Sequence, residues 1–291
     1  MIATAFEYET PSSVDEAVAR LSELGDRGRV LAGGHSLIPL MKLRLAQPEV
    51  LVDIGRLGEL RAVREDGDRL AIGALVTHAQ LAADATVDRH CRVLAETAAV
   101  IGDPQVRNRG TIGGALAHAD PAADYPATVL ALEAEVVAQG PGGRRTIPVA
   151  EFFSGLFSTA LAPDELLVEL RVPRLGPGSG GAYLKRPNKA SHYAVVGVAA
   201  VARLAGGRIE RLRVGVTGAG AQPVRATAVE QALEGESPSA AAIARAAEAA
   251  AAGIDCLSDV HGSAEYRAAM TRVYARRAIQ AAIGRAGSPS L

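Results

Sequence analysis

Only two cysteines, Cys91 and Cys256, occur in the 291 residues, and they lie far apart in the chain. Two thiolates cannot hold an iron–sulfur cluster, which takes about four, and the pattern favours two free buried thiols over a disulfide. C-x-x-C and H-E-x-x-H are both absent, so no metal site is predicted. Charge of one sign is not in excess either: 31 basic against 32 acidic residues leave a net −1. That balance gives no electrostatic case for nucleic acid or for an anionic membrane. No run of 18 uncharged apolar residues exists, so no transmembrane helix is expected. The alanine-rich stretch 240–253 is broken by Arg245 and Glu248 and reads as an ordinary helix. The opening "MIATAFEYETPSS" has neither a charged n-region nor an apolar h-region, which predicts no secretory leader and a cytoplasmic location. Nucleophile and nucleotide signatures are missing as well. "FSGLFS" lacks the first glycine of G-x-S-x-G, no G-x-G-x-x-G follows the first strand, and no G-x-x-x-x-G-K-[ST] occurs.

What remains is a chain of which 48% is hydrophobic, long enough for about two domains. Residues 13–24 predict a helix: Ser13 and Glu16 form a capping-box pair, Val14, Ala17, Val18, Leu21 and Leu24 share a face, and Gly25 ends it. "RVLAG" reads as a short strand, residues after Gly34 as a helical turn that tolerates Pro39, and 50–54 as a buried strand. A hairpin turns at Asp66-Gly67, and Thr77 with Gln80 opens a helix toward Asp84. Residues 92–101 and 126–132 read as helices, 133–149 as a hairpin, and 165–173 as a strand. "RLGPGSGG" (174–181) is the clearest break in composition and the best linker. Strands joined through Gly206-Gly207 follow, then helices near 225–233, 239–252 and 263–283. Regular βαβ alternation is absent, so the order predicts a mixed α+β fold.

Two stretches stand apart: "VLAGGHSLIPLMKLR" (30–44) and "GTIGGALAHAD" (110–120). Each places Gly-Gly between β-prone and helix-prone residues. Glycine permits positive φ and close approach of another molecule to the main chain. A strand, a glycine loop and a helix start together aim several N–H groups one way, which suits phosphate. Each Gly-Gly is therefore either a tight turn or half of a cradle, and two such loops could hold the two phosphates of a dinucleotide.

At these stretches the sequence resembles a known family. "AGGHSLIPLMKLR", "IGDPQVRNRGTIGGALAHADPAADYPA", "LAPDELLVELRVP", "AYLKR" and "DVHGSAEYRAAM" are similar to the FAD-binding medium subunit of the molybdenum hydroxylases, the carbon monoxide dehydrogenase and xanthine dehydrogenase type. The resemblance implies an α+β, two-lobed FAD-binding domain of the PCMH/vanillyl-alcohol-oxidase type, also seen in MurB, over residues 1–176, with lobe 1 at about 1–57 and lobe 2 at about 58–176. It implies a smaller C-terminal domain, 177–291, of a three-stranded antiparallel sheet plus a helix cluster. It also implies a small iron–sulfur partner with two [2Fe–2S] clusters and a large partner with the molybdenum–cytosine dinucleotide, assembled as a dimer of heterotrimers. Peripheral attachment to the inner membrane would come only through that complex.

Carried over by position, Ala32, Gly33, Gly34, His35, Ser36 and Leu37 would hold the FAD pyrophosphate through main-chain N–H groups. Thr111, Ile112, Gly113, Gly114 and Ala115 would form the second phosphate and ribityl loop, and Asp124 would bind ribityl hydroxyls. Ile101 and Leu167 match apolar contacts near the flavin, Lys185 a basic residue beside it, and Tyr193 a ring against the isoalloxazine.

Other residues read as structure. His118 is expected to satisfy its own loop, His78 to be an exposed helix residue after the Thr77 cap, and Asp53 to be a turn or cap residue. His35 is either a ligand donor or a surface histidine, and Lys185 either a flavin-edge cation or an exposed strand lysine. Asp120 and Asp124 are not read as an acid/base dyad, since a proline separates them. The resulting expectation is an electron-transfer subunit with no catalytic acid, base or nucleophile of its own and an apolar, weakly charged docking surface. It would take electrons from the clusters and pass them to quinone, dioxygen or NAD. The alternative is a self-contained NADPH-dependent reductase of the MurB type; a second rival is a non-redox nucleotide module.

Overall fold

The computed structural model describes residues 2–287. Lobe 1 runs β1 (Glu7–Glu9), α1 (Val14–Leu24), β2 (Gly28–Leu31), α2 (Leu37–Lys42) and β3 (Val50–Asp53), with the three strands parallel in the order β1-β3-β2. Ser13 caps α1 by accepting from the Glu16 N–H. The other half of the expected capping box is displaced by one residue: the Glu16 carboxylate takes the N–H and hydroxyl of Ser12. All five apolar positions of α1 are buried, packed with Val50, Val52 and Ile54. Removing such side chains from water contributes about 1.5–3 kcal/mol for each Val or Leu. Val137, Leu166 and Val168 join the same cluster from the second lobe, so apolar burial fastens lobe 1 to its neighbour, with Gln139 donating to Asp15 and Val14 N–H to Glu59 alongside it.

Lobe 2 comprises β4 (Val63–Asp66), β5 (Arg69–Gly73), α3 (His78–Ala83), α4 (Ala85–Ala99), α5 (Pro104–Arg109), α6 (Ile112–His118), α7 (Tyr125–Ala131), β6 (Glu135–Gly140), β7 (Gly143–Pro148), α8 (Val149–Phe152), β8 (Phe153–Gly155), β9 (Ser158–Thr159) and β10 (Leu166–Pro173). Its five-stranded sheet has the antiparallel order β4-β5-β10-β6-β7, and β8 pairs only with β9. Ile72, Val136 and Leu170 of the sheet pack with Leu94, Leu116 and Val129 of the helices. The expected helix at 92–101 is the second of two segments in α4: Asp84 caps a first one through Thr86 and Val87, and a non-helical Cys91 separates it from the second, which ends at Ala99. Both cysteines are free.

The C-terminal part holds β11 (Ser179–Pro187), β12 (Ala194–Ala205), β13 (Arg208–Thr217), β14 (Val224–Arg225), α9 (Thr227–Leu233), α10 (Ala240–Ala247) and α11 (Ala264–Ala286). Three long antiparallel strands carry the sheet, as expected, and the two-residue β14 extends it beside β13. Ala275, Ala278 and Ala282 let α11 lie directly on the sheet; a Cβ on Gly180 would come within 2.5 Å of the Ala286 nitrogen. Arg267, only 4% exposed, ties this helix to the strands by donating to the carbonyls of Val195 and Gly218 and to both oxygens of Asp259. The "DVHGSAEYR" stretch thus lies mostly at the surface and is anchored by one buried side chain, Arg267.

The C-terminal sheet grips lobe 2 through α7. Gly215 of β13 lies against the main chain of Ala127, where an added Cβ would overlap the carbonyl. The Thr217 hydroxyl donates to the carbonyls of Pro121 and Ala123, Gly218 N–H to Pro121, and Ala194 N–H to Ala122. Glu133, at the end of α7, receives Arg211, Arg213 and Arg225. Gly215→Ala is therefore expected to lower stability by about 1–3 kcal/mol through overpacking, measured as a shift in the urea midpoint at constant m-value.

Candidate functional site

The loop after β2 is built to leave donors free. Gly34 has φ +77, a left-handed turn open to glycine, and α2 starts three residues later. The first main-chain bond beyond the turn is Ile38 N–H to the Gly34 carbonyl at 3.1 Å. Among the described residues, the N–H groups of Gly33, Gly34, His35, Ser36 and Leu37 make no hydrogen bond. Five adjacent unpaired donors on a partly exposed loop form an anion-binding nest. With only six residues, α2 adds little dipole; the N–H groups themselves carry the attraction.

The second loop meets the first. A Cβ on Gly33 would overlap the Arg109 carbonyl and lie 2.9 Å from the Gly110 Cα, and one on Gly114 would lie 3.9 Å from the Ala32 Cβ. The two glycine loops therefore form one surface. Their donors differ, however. In the second loop Ile112 N–H donates to Val76, Gly113 N–H to Ala74, Gly114 N–H to the Thr111 hydroxyl and Ala115 N–H to the Thr111 carbonyl. The reason is secondary structure: these residues are the first turn of α6, capped by Thr111 and laid against the end of β5. Gly113 is needed because Ala74 leaves no room for a side chain. Instead of a second row of main-chain donors, this loop offers the Thr111 hydroxyl proton and the small flank of Gly114 and Ala115.

Asp124, 5% exposed, closes the next wall. The carbonyl contacts from Thr217, Gly218 and Ala194 hold the turn that carries it. Its carboxylate accepts from the Tyr183 hydroxyl at 2.5 Å and from Lys185 Nζ at 3.0 Å. Burial pushes its pKa up, while Lys185 and Tyr183 pull it back. Lys185 spends all three protons: on Asp124, on the Val100 carbonyl at 2.8 Å and on the His192 carbonyl at 2.6 Å. It is neither an exposed strand lysine nor a free cation, since its charge is committed to Asp124. His192 has φ +62 and is followed by Tyr193, whose ring is 42% exposed and whose hydroxyl interacts with Ser36 of the first loop.

Ile101 is half-buried against the core of lobe 2 beside the Val100 carbonyl that Lys185 holds. Leu167 is 4% exposed within that core, on β10 under α6, and does not reach the open surface. His35 is exposed, its Nδ1 3.3 Å from the Gly33 carbonyl. His118 packs on Phe157, thirty-nine positions later, with ring centroids 5.2 Å apart, rather than against its own loop. Asp120 accepts from Ala122 N–H in a turn, and Asp53 does the same for Gly55 N–H. Among the described residues no group of three or more His, Cys, Asp or Glu could hold a metal ion, and no helix is long and apolar enough to cross a membrane.

His78 corrects the sequence reading. It is not exposed but 4% accessible, with Nδ1 3.0 Å from the Tyr125 hydroxyl. Its place one turn before the wholly buried Leu81 puts both on one helix face, a signal that the cap at Thr77 obscured. Desolvation, then the nearby charges of His35 and Arg107, lower its pKa to about 4.

An unpaired N–H row, a contiguous small-residue floor and a buried carboxylate fit an elongated dinucleotide. The comparisons agree. Residues 4–175 match the family described as the FAD binding domain in molybdopterin dehydrogenase, and residues 181–282 the CO dehydrogenase flavoprotein C-terminal domain. The chain is 44% identical to the carbon monoxide dehydrogenase medium chain of Hydrogenophaga pseudoflava, over 98% of this chain and 99% of that one. It is 41% identical to the 6-hydroxypseudooxynicotine dehydrogenase complex subunit alpha of Paenarthrobacter nicotinovorans, over 97% and 96%. A solved carbon monoxide dehydrogenase from Hydrogenophaga pseudoflava, lacking the Mo-pyranopterin moiety, superposes with a TM-score of 0.96 at 46% identity, over 98% and 99%.

A histidine held neutral makes stability depend on pH. Its folded pKa, about 4, lies below the ordinary 6.5, so the contribution is complete above pH 6.5 and is lost as pH falls from there toward 4. The total is about 3 kcal/mol. Unfolding free energies measured across that window are expected to decline in the wild type and to lose this component in His78→Gln.

Proposed function

The chain belongs to the FAD-binding subunits of the molybdopterin dehydrogenases, and from that premise we propose that it is the FAD-carrying electron-transfer subunit of a molybdenum hydroxylase complex. The observation that carries this reading is the contact between the two glycine loops beside a row of unpaired N–H groups. Ala32 to Leu37 would hold the pyrophosphate, with Ser36 beside the Tyr193 hydroxyl. Thr111 to Ala115 supply one hydroxyl and a flat floor on which the ribityl chain lies. Asp124, aligned by Tyr183 and Lys185, accepts from ribityl hydroxyls with oxygen lone pairs that its two partners leave unused. Tyr193 would take the isoalloxazine against its ring, with Ile101 beside it; Leu167, buried in the core, would act from behind through the packing of α6. Lys185 acts through Asp124 and by fixing the carbonyl of His192, the residue before Tyr193.

When bound, FAD supplies the redox chemistry, accepting electrons one at a time and yielding them singly or in pairs. The chain's own residues bind, orient and exclude water. No acid, base or nucleophile of this chain is required, and the Asp124 carboxylate is neutralised by a buried lysine rather than poised for proton transfer.

The partners are a small iron–sulfur subunit with two [2Fe–2S] clusters and a large molybdenum–cytosine dinucleotide subunit, in a dimer of heterotrimers in the cytoplasm. The relatives' own names, a medium chain and a complex subunit, support an assembly. Those names also separate function within it. Carbon monoxide and 6-hydroxypseudooxynicotine have no chemistry in common, yet this chain resembles both subunits at 44% and 41% identity. Substrate recognition therefore belongs to a partner chain. A self-contained reductase of the MurB type finds no support among the relatives.

One FAD per chain is expected, read as flavin absorbance in the purified protein, alone or in its assembled complex. Gly33→Ala must push the loops apart and is expected to weaken FAD at least about tenfold, or 1.4 kcal/mol. Unchanged affinity in Gly33→Ala, or a wild type that takes up no FAD in either form, counts against the reading.

A further inference from the structure

Four groups stack in a column beneath the nucleotide surface. Tyr125, wholly buried, opens α7 directly after Asp124. Its hydroxyl bonds His78 Nδ1 at 3.0 Å, and the two rings meet edge-on with centroids 5.3 Å apart. The other edge of the imidazole lies against Gly110: a Cβ there would be 2.5 Å from Nε2 and 2.8 Å from Cδ2. The His78 main-chain N–H donates to the Gly110 carbonyl at 3.0 Å. Gly33, with its five-residue row of donors, lies against the same Arg109–Gly110 main chain: a Cβ there would overlap the Arg109 carbonyl and lie 2.9 Å from the Gly110 Cα.

We propose that His78 is a positioning residue: its ring is the seat of Gly110, and through Gly110 it sets the spacing between the two loops that take the nucleotide. This rests on the reading of the loops as the FAD site. A histidine that merely fills core would need neither a fixed ring edge nor a glycine above it. Here the Tyr125 bond fixes the ring, since a buried phenol hydroxyl demands a partner. The ring is the closest obstacle to a side chain here, with the Val106 carbonyl next at 3.1 Å, while the backbone itself (φ −60, ψ 141) is one that alanine adopts freely.

The test is a double-mutant cycle on the full chain in its assembled complex, read as FAD dissociation constants and the visible flavin spectrum. Gly110→Ala and His78→Ala are each expected to weaken FAD at least about tenfold. Gly110→Ala/His78→Ala is expected to bind no worse than the better single variant and to regain the wild-type spectrum, because the new methyl enters the space the ring vacated. A purely structural loss would instead multiply. Should His78→Ala fail to fold, Gly110→Ala decides alone: an affinity within about twofold of wild type overturns the seat. Wild-type uptake with multiplying losses overturns this inference and leaves the functional reading intact. A wild type that takes up no FAD overturns both.

Discussion

The close approach of Gly33 to the Arg109–Gly110 main chain is the constraint on which the rest of the site depends. It permits no side chain on Gly33, and it brings a parallel three-stranded lobe and an antiparallel five-stranded lobe to a common edge. The cluster that joins them is aliphatic, with Val14, Val18 and Leu21 of α1 packed among Val137, Leu166 and Val168. Non-directional burial brings the lobes together, and the glycine contact then fixes how near their loops come. The two loops are not equivalent. The first keeps its N–H groups unpaired; the second has spent its own on the start of α6 and on the strand beneath. One loop therefore attracts an anion and the other shapes the floor beside it.

The C-terminal domain completes the site. Its contribution is mostly main chain: the hydrogen bonds to Pro121, Ala122 and Ala123 hold the turn that presents Asp124. Lys185 then spans three segments, reaching Val100 of lobe 2, Asp124 and the His192 carbonyl. A lysine and an aspartate buried to this degree stabilise each other only as a pair; either alone would leave an uncompensated charge. The pair couples the seating of the C-terminal sheet to the position of Tyr193.

Much of this was legible in the sequence, for local reasons. The apolar face of α1, the full Thr77–Gln80 capping box and the turn at Gly34 follow from periodicity, cap chemistry and the freedom of glycine. The residues proposed for the site were named by resemblance to a family; the structure brings the two loops into contact and joins Lys185 to Asp124. Three features were not legible. The burial of His78 depends on Gly110, thirty-two positions later, which local pattern cannot reveal. The consumption of the second loop's donors depends on the end of β5. The saturation of Lys185 depends on carbonyls from two other segments. Each is a contact between separate segments that involves the main chain, and such contacts leave no periodic trace.

The asymmetry of the two loops is tested most directly by amide hydrogen exchange, resolved by peptide, with and without FAD. The account requires strong new protection over Gly33–Leu37, whose N–H groups are otherwise unpaired, and little change over Ile112–Ala115, whose N–H groups are already bonded. FAD bound at one per chain with Gly33–Leu37 still exchanging freely would contradict it.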